Sequence, residues 1–475
     1  MNVPVLVIRL HGKPVGKLFG FDQPGSEPII RFVADPGLAD KPFGAGPVLS
    51  EAFRAEDPDQ QKSLWYDLAN PLFNARPGRH GDWQLPSFFQ NLLPEGRFRF
   101  HVSEDAKIDE RDHIRMLAAC GKNLPGAVTA EWEDIPRAEL QRLITQNNDA
   151  LEMSVWSEPY QDALSISGVQ PKLGVAMDTN GRFVGRTSQG DVHIIAKLPS
   201  PDHPRMPQLE DLCMRMAAAC SVAVCEFALH PLGHLAAPHR YDLGEEAQGT
   251  FLAVHRFDRV RTSGKTKRVH FEDFAQVFGV LPEEKYQGSY QAIALQLMAL
   301  PGCGEAAVLE LLRRIAVNDL LGNADMHLKN LGLLYKDPAT ASLAPAYDIT
   351  STAVYINSQG HALHFLESNT TPNNRTSAKT DILKPTNVMA FCRPLGLNPK
   401  LAEEVIRDVT KRACTAWLPM VQASGLSTQQ KLKLVRYTQS RRLAKSWLNH
   451  KANAGLLIDW QSAEAGYAAL NAQQA

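Results

Sequence analysis

The segment GNADMHLKNLGLLY at 322–335, with APAYDIT after it at 344–350, is the most informative part of this chain. Asn330 stands five residues after Asp325, and Asp348 follows them. In protein kinases a catalytic-loop Asp orients the acceptor hydroxyl, an Asn later in that loop holds Mg²⁺, and a further Asp joins the metal to the phosphates. Because these three residues repeat that order, the segment predicts a site for metal-dependent phosphoryl transfer.

A purely structural interpretation of the same segment also has to be weighed. Asp and Asn are common turn formers and helix caps, and each of the three residues taken alone favours that role. However, His327 and Lys329 stand in the same segment, directly after an apolar helix pattern at 305–321. So many polar groups behind an apolar helix are costly unless they bind something, which favours the phosphoryl-transfer interpretation.

Composition limits the class of protein. The chain has 475 residues, of which 44% are hydrophobic, and 50 basic against 51 acidic residues give a net charge of −1. This length usually forms two or more domains, and the charge balance does not indicate nucleic acid or an acidic membrane as the main partner. The seven scattered cysteines lack a CxxC pair, and no apolar run is long enough for a membrane span or signal peptide. We therefore expect a soluble, cytoplasmic protein with reduced thiols and no membrane partner.

The first part of the chain has strand patterns. Three strands are predicted, at 3–10, 15–21 and 28–34. Long loops with short elements are expected over 35–85. SFFQNLLPEG at 87–96 predicts a short buried turn of helix that ends at Pro94 and Gly96. Together these patterns predict a β-rich N-terminal module.

Strand patterns resume after a polar stretch at 125–160, which we take as the joint between domains. The next predicted elements are strands at 172–177 and 192–198 with Asn180-Gly181 as a turn between them, a helix at 206–222, and strands at 223–230 and 249–258. Lys197 closes one strand, so its ammonium could reach the α- and β-phosphates of ATP. Glu210 on the following helix either pairs with Lys197 or is an ordinary solvated helix charge. After about residue 270 the pattern is mostly helical.

The segment LSISGVQPKLGV at 164–175 would occupy the place of a phosphate-covering loop. Small Ser165, Ser167 and Gly168 let backbone N–H groups approach phosphate oxygens, and Lys172 could neutralise charge there. The segment matches neither GxxxxGK[ST] nor GxGxxG. A phosphorylated serine in it would gain about −1.5 to −2 charges, which would repel ATP or eject the loop.

Two further patterns receive ordinary interpretations. The stretch KLKLVRYTQSRRLAKSWLNHK at 431–451 is basic and free of acidic residues. Such a helix could touch phosphates in a complex with a DNA-binding partner, although a solvated basic face is the commoner explanation. His230, His234 and His239 match no standard zinc spacing, and we expect them in loops and on the surface.

Taken together, these segments resemble the HipA-type serine/threonine kinase toxins of bacterial toxin–antitoxin systems. The resemblance runs in the family's order from about 3 to 440 and rests on FFQNLLPEG, SISGVQPKLGV, HIIAKLPS, LEDLCMRMA, VHRFDR, GNADMHLKN and APAYDITST. It implies an α+β fold with three parts: a β-rich N-terminal subdomain at 1–130, a kinase-like small lobe at 131–260 with the phosphate loop and ATP lysine, and a largely helical C-lobe at 261–475.

The resemblance also implies roles for individual residues. Asp325 is similar to the family's catalytic base, Asn330 and Asp348 to its Mg²⁺ ligands, and Lys197 to its ATP phosphate ligand. The other residues expected at the ATP site are His255 and Phe257 at the adenine hinge, Ser167, Gly168, Lys172 and His327. Autophosphorylation is expected at Ser165, with Ser167 as a second acceptor.

Three positions depart from the family pattern. Met326 stands where a second Asp is frequent, His255 where an acidic hinge residue is common, and Pro171 where a charged loop residue is frequent. Met326 could alter metal or substrate contacts without abolishing transfer, and His255 matters little because hinges bind adenine mainly through backbone groups.

The resemblance implies ATP and Mg²⁺ as cofactors, and a protein serine as acceptor. The substrate would be an aminoacyl-tRNA synthetase, such as the glutamyl-tRNA synthetase, whose modification arrests growth and leads to persistence. A small helix-turn-helix antitoxin, HipB-like, would restrain the kinase and bind operator DNA, so that DNA is only an indirect partner. Two alternatives stay open: an ATP-binding pseudokinase or interaction module, and a small-molecule kinase with the same Asp and Mg²⁺ arrangement.

Overall fold

The computed structural model describes residues 4–21, 28–39, 49–67, 69–78, 82–134, 170–178, 180–185, 192–237, 241–244, 249–262, 265–337, 340–356, 360–367 and 380–474. Over these residues the fold is α+β, as the sequence predicted, with sheets in the first half and helices dominating the second. No helix in the described stretches has the length and apolar character needed to cross a membrane.

The N-terminal sheet has four antiparallel strands in the order β3-β2-β1-β6. Its strands are β1 (Val5–Leu10), β2 (Lys13–Phe21), β3 (Ile29–Ala34) and β6 (Val128–Trp132), with a short separate pair, β4 (Arg76–Pro77) and β5 (Trp83–Gln84). The three predicted strands are thus confirmed. Leu6, Ile8 and Leu18 are fully buried, because alternate strand residues face one apolar core.

Short helices cover this sheet. They are α1 (Pro36–Ala39), α2 (Pro58–Tyr66), α3 (Ser87–Gln90), α4 (Gly96–Ala106) and α5 (His113–Cys120). The predicted short buried turn of helix is confirmed as α3, whose four residues are all buried, but Gly96, which was expected to help end it, instead begins α4. Its φ of +57° lies in the left-handed region that glycine adopts easily. The chain can therefore turn after Pro94 and enter a new helix at once.

A second sheet, of five strands, has the order β10-β11-β9-β7-β8. Its strands are β7 (Lys172–Met177), β8 (Phe183–Val184), β9 (Ile194–Lys197), β10 (Phe227–Pro231) and β11 (Thr250–His255). The predicted strands and the Asn180-Gly181 turn are confirmed, and His230 lies in β10 instead of a loop, against the ring of Phe183. His239 lies outside the described residues.

Helix α6 (Met206–Ala219) connects this sheet to the C-terminal helices. Leu212, Met216 and Ala217 belong to the largest buried apolar cluster, which the C-terminal helices share. The indole of Trp417 donates from Nε1 to the Met216 carbonyl at 3.0 Å. This packing fixes the position of Glu210, which the same helix carries, relative to both parts of the molecule.

The rest of the chain is mainly helical, as predicted, but contains strands that the sequence did not indicate. The strands are β12 (Arg259–Thr262), β13 (Lys265–Arg268), β14 (His270–Asp273), β15 (Gly332–Tyr335) and β16 (Ala341–Leu343). The helices are α7 (Phe274–Val277), α8 (Tyr290–Ala299), α9 (Gly304–Leu321), α10 (Pro385–Cys392), α11 (Pro399–Ala423), α12 (Thr428–Ser440), α13 (Arg442–Leu448) and α14 (Ala454–Gln474). Of these strands only β15 lies in a stretch, LGLLY, whose apolar sequence is strand-like.

The basic stretch at 431–451 does not form one solvated helix, because the chain breaks between α12 and α13. Five of its seven lysine and arginine side chains make contacts within the protein. Lys431 Nζ donates to the Gln422 carbonyl, Lys433 Nζ to the Val354 carbonyl, Arg436 pairs with Glu464, Arg441 with Asp319 and Arg442 with Asp381. These contacts help to hold α12 and α13 in place.

A buried acidic cluster joins the N-terminal subdomain to the β14-β15 pair. Ser50 Oγ donates to Glu272 Oε2 at 2.6 Å, and the Glu51 amide donates to Glu272 Oε1 at 3.0 Å. The Tyr335 hydroxyl lies 2.9 Å from Glu51 Oε1 and 2.5 Å from Glu272 Oε1. One hydroxyl proton can serve only one of these carboxyl groups, so the second hydrogen bond requires a proton on a carboxyl. Burial raises the pKa of Glu272 to about 8, which identifies Glu272 as the protonated group.

We expect Glu272→Gln to increase stability at alkaline pH. The pKa of Glu272 is 4.5 for the free group and about 8 in the fold, so the native protein loses stability as the pH rises between these values. Glutamine does not titrate and can keep the hydrogen bonds to Ser50 and Tyr335. The variant should match the wild type near pH 5 and exceed it by about 2 kcal/mol or more at pH 8.5 in denaturant unfolding. An equal difference at both pH values would contradict this assignment.

Candidate active site

The predicted catalytic loop follows the C-terminus of α9. Gly322 has a φ of +73°, and a Cβ there would lie 2.6 Å from side-chain atoms of Ala353 and Tyr437, so only glycine fits this turn. The side chain of Asn323 accepts from the Asp325 amide at 2.9 Å, which shapes the following turn. The carboxylate of Asp325 is 45% exposed and therefore open to a second molecule.

Asn330 is tied to Asp325 across this loop. Its Nδ2 donates to the Asp325 carbonyl at 2.7 Å, which leaves the Oδ1 of the same amide as the group that can bind a cation. Asn330 and Asp348 line one small cavity together with Tyr347. The two residues predicted to hold metal are thus brought together, although they come from different segments.

Asp348 follows β16 in the left-handed backbone region, with a φ of +55°. This conformation is uncommon for a residue other than glycine, although Asp tolerates it better than most. Lys197 Nζ donates to Asp348 Oδ1 and also to Glu210 Oε1. The sequence left open whether Glu210 pairs with Lys197, and the structure shows that it does.

The charges of this group support one another. Burial alone would lower the pKa of Lys197, but Asp348 and Glu210 raise it above its ordinary value. Burial likewise acts to raise the pKa of Asp348, yet Lys197 and Lys172 hold it below the usual range. Lys197 is therefore a firmly charged ammonium and Asp348 an ionised carboxylate.

Lys172 is the second buried lysine of the site. It lies directly opposite Lys197 in the pairing of β7 with β9. Burial is the main cause that lowers the pKa of Lys172 to about 8, and the charge of Lys197 acts in the same direction. Two cations therefore face the position of Asp348, a concentration of positive charge that suits a polyanion.

These residues line a cleft between the second sheet and the C-terminal part. His255 and Phe257 line the same cleft as Lys172, Lys197 and Asp348. The ring of Phe257 packs at 5.2 Å from Phe271 and at 5.5 Å from Tyr347, so the cleft has an aromatic wall in addition to its charged groups. The N-terminal subdomain contributes Asn91 and Pro125 to the lining.

His327 lies beside Asp325, with 3.7 Å between His327 Nε2 and Asp325 Oδ1, and it is also near enough to Asp348 to contribute to lowering the pKa of that carboxyl. Burial lowers the pKa of His327 to about 4, so the imidazole is neutral at physiological pH. The Tyr286 hydroxyl donates to the same oxygen, Asp325 Oδ1, at 2.6 Å, and the Tyr286 ring packs edge-on against the His327 ring at 4.9 Å. Tyr286 carries no local sequence signal, because it lies in a polar turn 39 residues before Asp325.

The departures from the family pattern have simple structural consequences. Met326 is 4% exposed, and Asn318 Nδ2 donates to its sulfur at 3.0 Å, so this side chain faces the core and not the acceptor side. The Pro171 carbonyl accepts from the Leu198 amide at 2.8 Å and extends the pairing of β7 with β9. Ser165, Ser167 and Gly168 lie outside the described residues.

Comparison with known proteins agrees with this arrangement. Residues 6–131 match the family model described as HipA N-terminal domain, and residues 164–417 match the HipA-like C-terminal domain. Two proteins of Sinorhizobium fredii are similar to the chain. "Putative kinase Y4dM" is 31% identical over 433 residues, covering 88% of this chain and 92% of the relative, and "Putative kinase Y4mE" is 30% identical over 314 residues, covering 61% and 71%.

The fold also has a solved counterpart. A chain from the complex of the Shewanella oneidensis MR-1 toxin–antitoxin system, HipA and HipB with operator DNA, superposes with a TM-score of 0.63 at 19% identity. The match covers 97% of this chain and 99% of that chain, which confirms the expected β-rich N-terminal subdomain followed by a kinase-like unit. Both domain models match in order, and the C-terminal one alone matches more than half of this chain. The chain therefore belongs to the HipA family.

Proposed function

We propose that this protein is an ATP-dependent kinase that phosphorylates serine or threonine in a protein. The observation that carries the proposal is the convergence of Lys197, Glu210 and Asp348 from three separate elements, with Asp325 and Asn330 beside them. A lysine held by a helix glutamate, next to a metal-binding Asp, is the arrangement that protein kinases use for phosphoryl transfer. The printed names of the two S. fredii relatives support the same chemistry.

The residues present fit ATP and Mg²⁺. Mg²⁺ is usually held by one or two protein oxygen ligands together with substrate phosphates, and the carboxylate of Asp348 and the Oδ1 of Asn330 provide such ligands in one cavity. The ammonium groups of Lys197 and Lys172 suit the phosphates. The aromatic wall of the cleft, with Phe257, suits the adenine ring.

Each residue then has a defined task. When bound, ATP would supply the phosphoryl group, and Mg²⁺ held by Asp348 and Asn330 would neutralise part of the phosphate charge. Lys197 would hold the phosphates, and Glu210 keeps its ammonium in place. Asp325 would accept a hydrogen bond from the acceptor hydroxyl and take its proton as that oxygen bonds to the γ-phosphorus, while the bond from this phosphorus to the β–γ bridging oxygen breaks and ADP leaves. The partly exposed Asp325 leaves room for a side chain presented by another protein.

The biological role that we propose is that of the toxin of a type II toxin–antitoxin system. The support is the family membership and the likeness to the HipA, HipB and operator DNA complex. The partner would be a small HipB-like helix-turn-helix antitoxin, with operator DNA bound through that partner. The substrate would be an aminoacyl-tRNA synthetase, such as the glutamyl-tRNA synthetase, which would place the action of the protein in the cytoplasm and link it to growth arrest and persistence.

Intact-mass measurement tests the kinase proposal. The purified chain is incubated with ATP and Mg²⁺, and residues 160–180 are mapped, beside an Asp348→Gln variant. We expect phosphate on Ser165 or Ser167 in the wild type and none in the variant. ATP binding without any transfer, to the chain itself or to a synthetic peptide of residues 160–180, would instead favour a pseudokinase. Transfer only to a small alcohol would favour a small-molecule kinase.

Tyr286→Phe should lower the KM for the acceptor peptide. The Tyr286 hydroxyl occupies one oxygen of Asp325, where an acceptor hydroxyl has to bind. A hydrogen bond to a charged group is worth about 1.5–3 kcal/mol, so its removal should lower the KM for the 160–180 peptide about tenfold or more. The KM for ATP should stay the same. A lower kcat with an unchanged peptide KM would contradict competition and show that the hydroxyl helps to orient Asp325.

A further inference from the structure

A carboxylate of the N-terminal subdomain reaches the predicted catalytic loop. Glu95 precedes α4, and its Oε2 pairs with Lys285 Nζ at 2.8 Å, while its Oε1 lies 3.4 Å from Lys329 Nζ. Lys329 lies within the loop that joins Asp325 to Asn330. Glu95 thus bridges the loop and the segment that precedes Tyr286.

Lys329 makes further contacts with the N-terminal subdomain. Its ammonium donates to the Asn91 carbonyl at 2.9 Å and to Asn91 Oδ1 at 3.0 Å, and it lies 3.5 Å from Asp273 Oδ2. The side chain is only 1% exposed. A buried ammonium is stable only when it is paired, so its neighbours fix where the Lys329 side chain lies. Asn91 and Glu95 both belong to FFQNLLPEG, a segment distant in sequence from the loop.

Lys285 is attached to the loop from the other side. Its carbonyl accepts from the Leu328 amide at 3.1 Å, and its ammonium lies over the Tyr286 ring at 5.8 Å. Burial acts to raise the pKa of Glu95, but Lys329 and Lys285 lower it to about 2, so this carboxylate stays ionised throughout the physiological range. The Glu95 carboxylate therefore holds both Lys329, which follows Leu328 in the loop, and Lys285, whose carbonyl binds the Leu328 amide.

We propose that Glu95 is a positioning residue for phosphoryl transfer, through which the N-terminal subdomain completes the active site by holding Lys329 and Lys285 against the Asp325 loop. This inference rests on the proposed kinase function. Glu95 is not among the residues that line the cleft with Lys197 and Asp348; it fixes the loop that carries Asp325 and Asn330. A loss of this restraint should affect the orientation of the reacting groups more than the binding of ATP.

The test compares full-length Glu95→Gln with the wild type. Misplacement of reacting groups by about 1 Å can cost up to a hundredfold in rate, so we expect kcat for the 160–180 peptide to fall about 10- to 100-fold, with the KM for ATP changed less than about twofold. Amide hydrogen exchange in the fragment 322–335, measured without ATP, should become about tenfold faster. Normal kcat together with normal exchange would overturn the proposal.

Arg97→Gln is the matched control. Arg97 lies two residues further along and also bridges to the kinase-like unit, through Asp202, but both side chains are more than half exposed and far from the loop in their contacts. This variant should keep both kcat and loop exchange at wild-type values. If it reproduced the effect of Glu95→Gln, a general loosening of the N-terminal subdomain would be the cause, and the proposal would fail.

Glu95→Asp separates positioning from folding. The shorter carboxylate keeps the charge, so it should recover most of the exchange protection and kcat that Glu95→Gln loses; equal losses in the two variants would count against the proposal. A wild-type chain that transfers no phosphate would refute the kinase function itself. The exchange of 322–335 would still decide whether Glu95 holds the loop.

Discussion

Asp325→Asn is expected to abolish most phosphoryl transfer while leaving the fold and ATP binding intact. Asparagine has the shape of aspartate, and its Oδ1 can still accept from Tyr286, so the loop should keep its geometry. However, a neutral amide cannot take the acceptor proton. A positioned base contributes about 10²- to 10⁴-fold, so kcat should fall within that range. The rate of single-turnover transfer to the 160–180 peptide measures the loss of catalysis, and the dissociation constant of ATP measures whether binding is retained.

The control for this variant is Asp408→Asn. Asp408 is a surface residue of α11 that pairs with Arg412 and lies far from the cleft in sequence and contacts. The Asp408→Asn variant should transfer phosphate at the wild-type rate. Transfer by Asp325→Asn at more than about a tenth of the wild-type rate would remove Asp325 from the role of base.

Lys197→Met should cause a large loss of stability. Lys197 is 7% exposed and is the partner of both Glu210 and Asp348. Breaking a buried ion pair by removing one partner typically costs about 3–5 kcal/mol, because the remaining charge is left buried without compensation. Denaturant unfolding at pH 7 should show a loss of this size, and ATP affinity should fall as well because the phosphates lose a cation.

The loss should depend on pH in a defined direction. Without Lys197, burial raises the pKa values of Glu210 and Asp348, so the native state of the variant holds protons that the unfolded state releases. Its stability should therefore fall as the pH rises, and the difference from the wild type should be smaller at pH 5 than at pH 8. Lys400→Met, at an exposed position of α11, should leave stability unchanged at both pH values. A pH-independent loss would show that packing, not charge, is the cause.

The sequence predicted best those features that depend on neighbouring residues. The strand at 192–198 and the helix at 206–222 were recognised because alternation and helical spacing are local patterns. Their ends were less certain, and the strands β12, β13 and β14 were missed because each has only four residues, although Ser263-Gly264 between β12 and β13 is a turn signal. The break inside 431–451 was missed for another reason: tertiary pairs of Arg441 and Arg442 with Asp319 and Asp381 stabilise it.

Residue type and spacing were sufficient to predict the candidate catalytic segment: Asp325, Asn330, Asp348 and Lys197 could be named because they follow the order of phosphoryl-transfer sites. Which of these groups meet depends on the tertiary packing. From the sequence alone Glu210 could be a solvated charge; it pairs with Lys197 because α6 packs between the second sheet and the C-terminal helices. The positions of Glu95 and Tyr286 at the Asp325 loop have no sequence signal. Such contacts join residues far apart in the chain, and they depend on how whole elements pack, which no local spacing records.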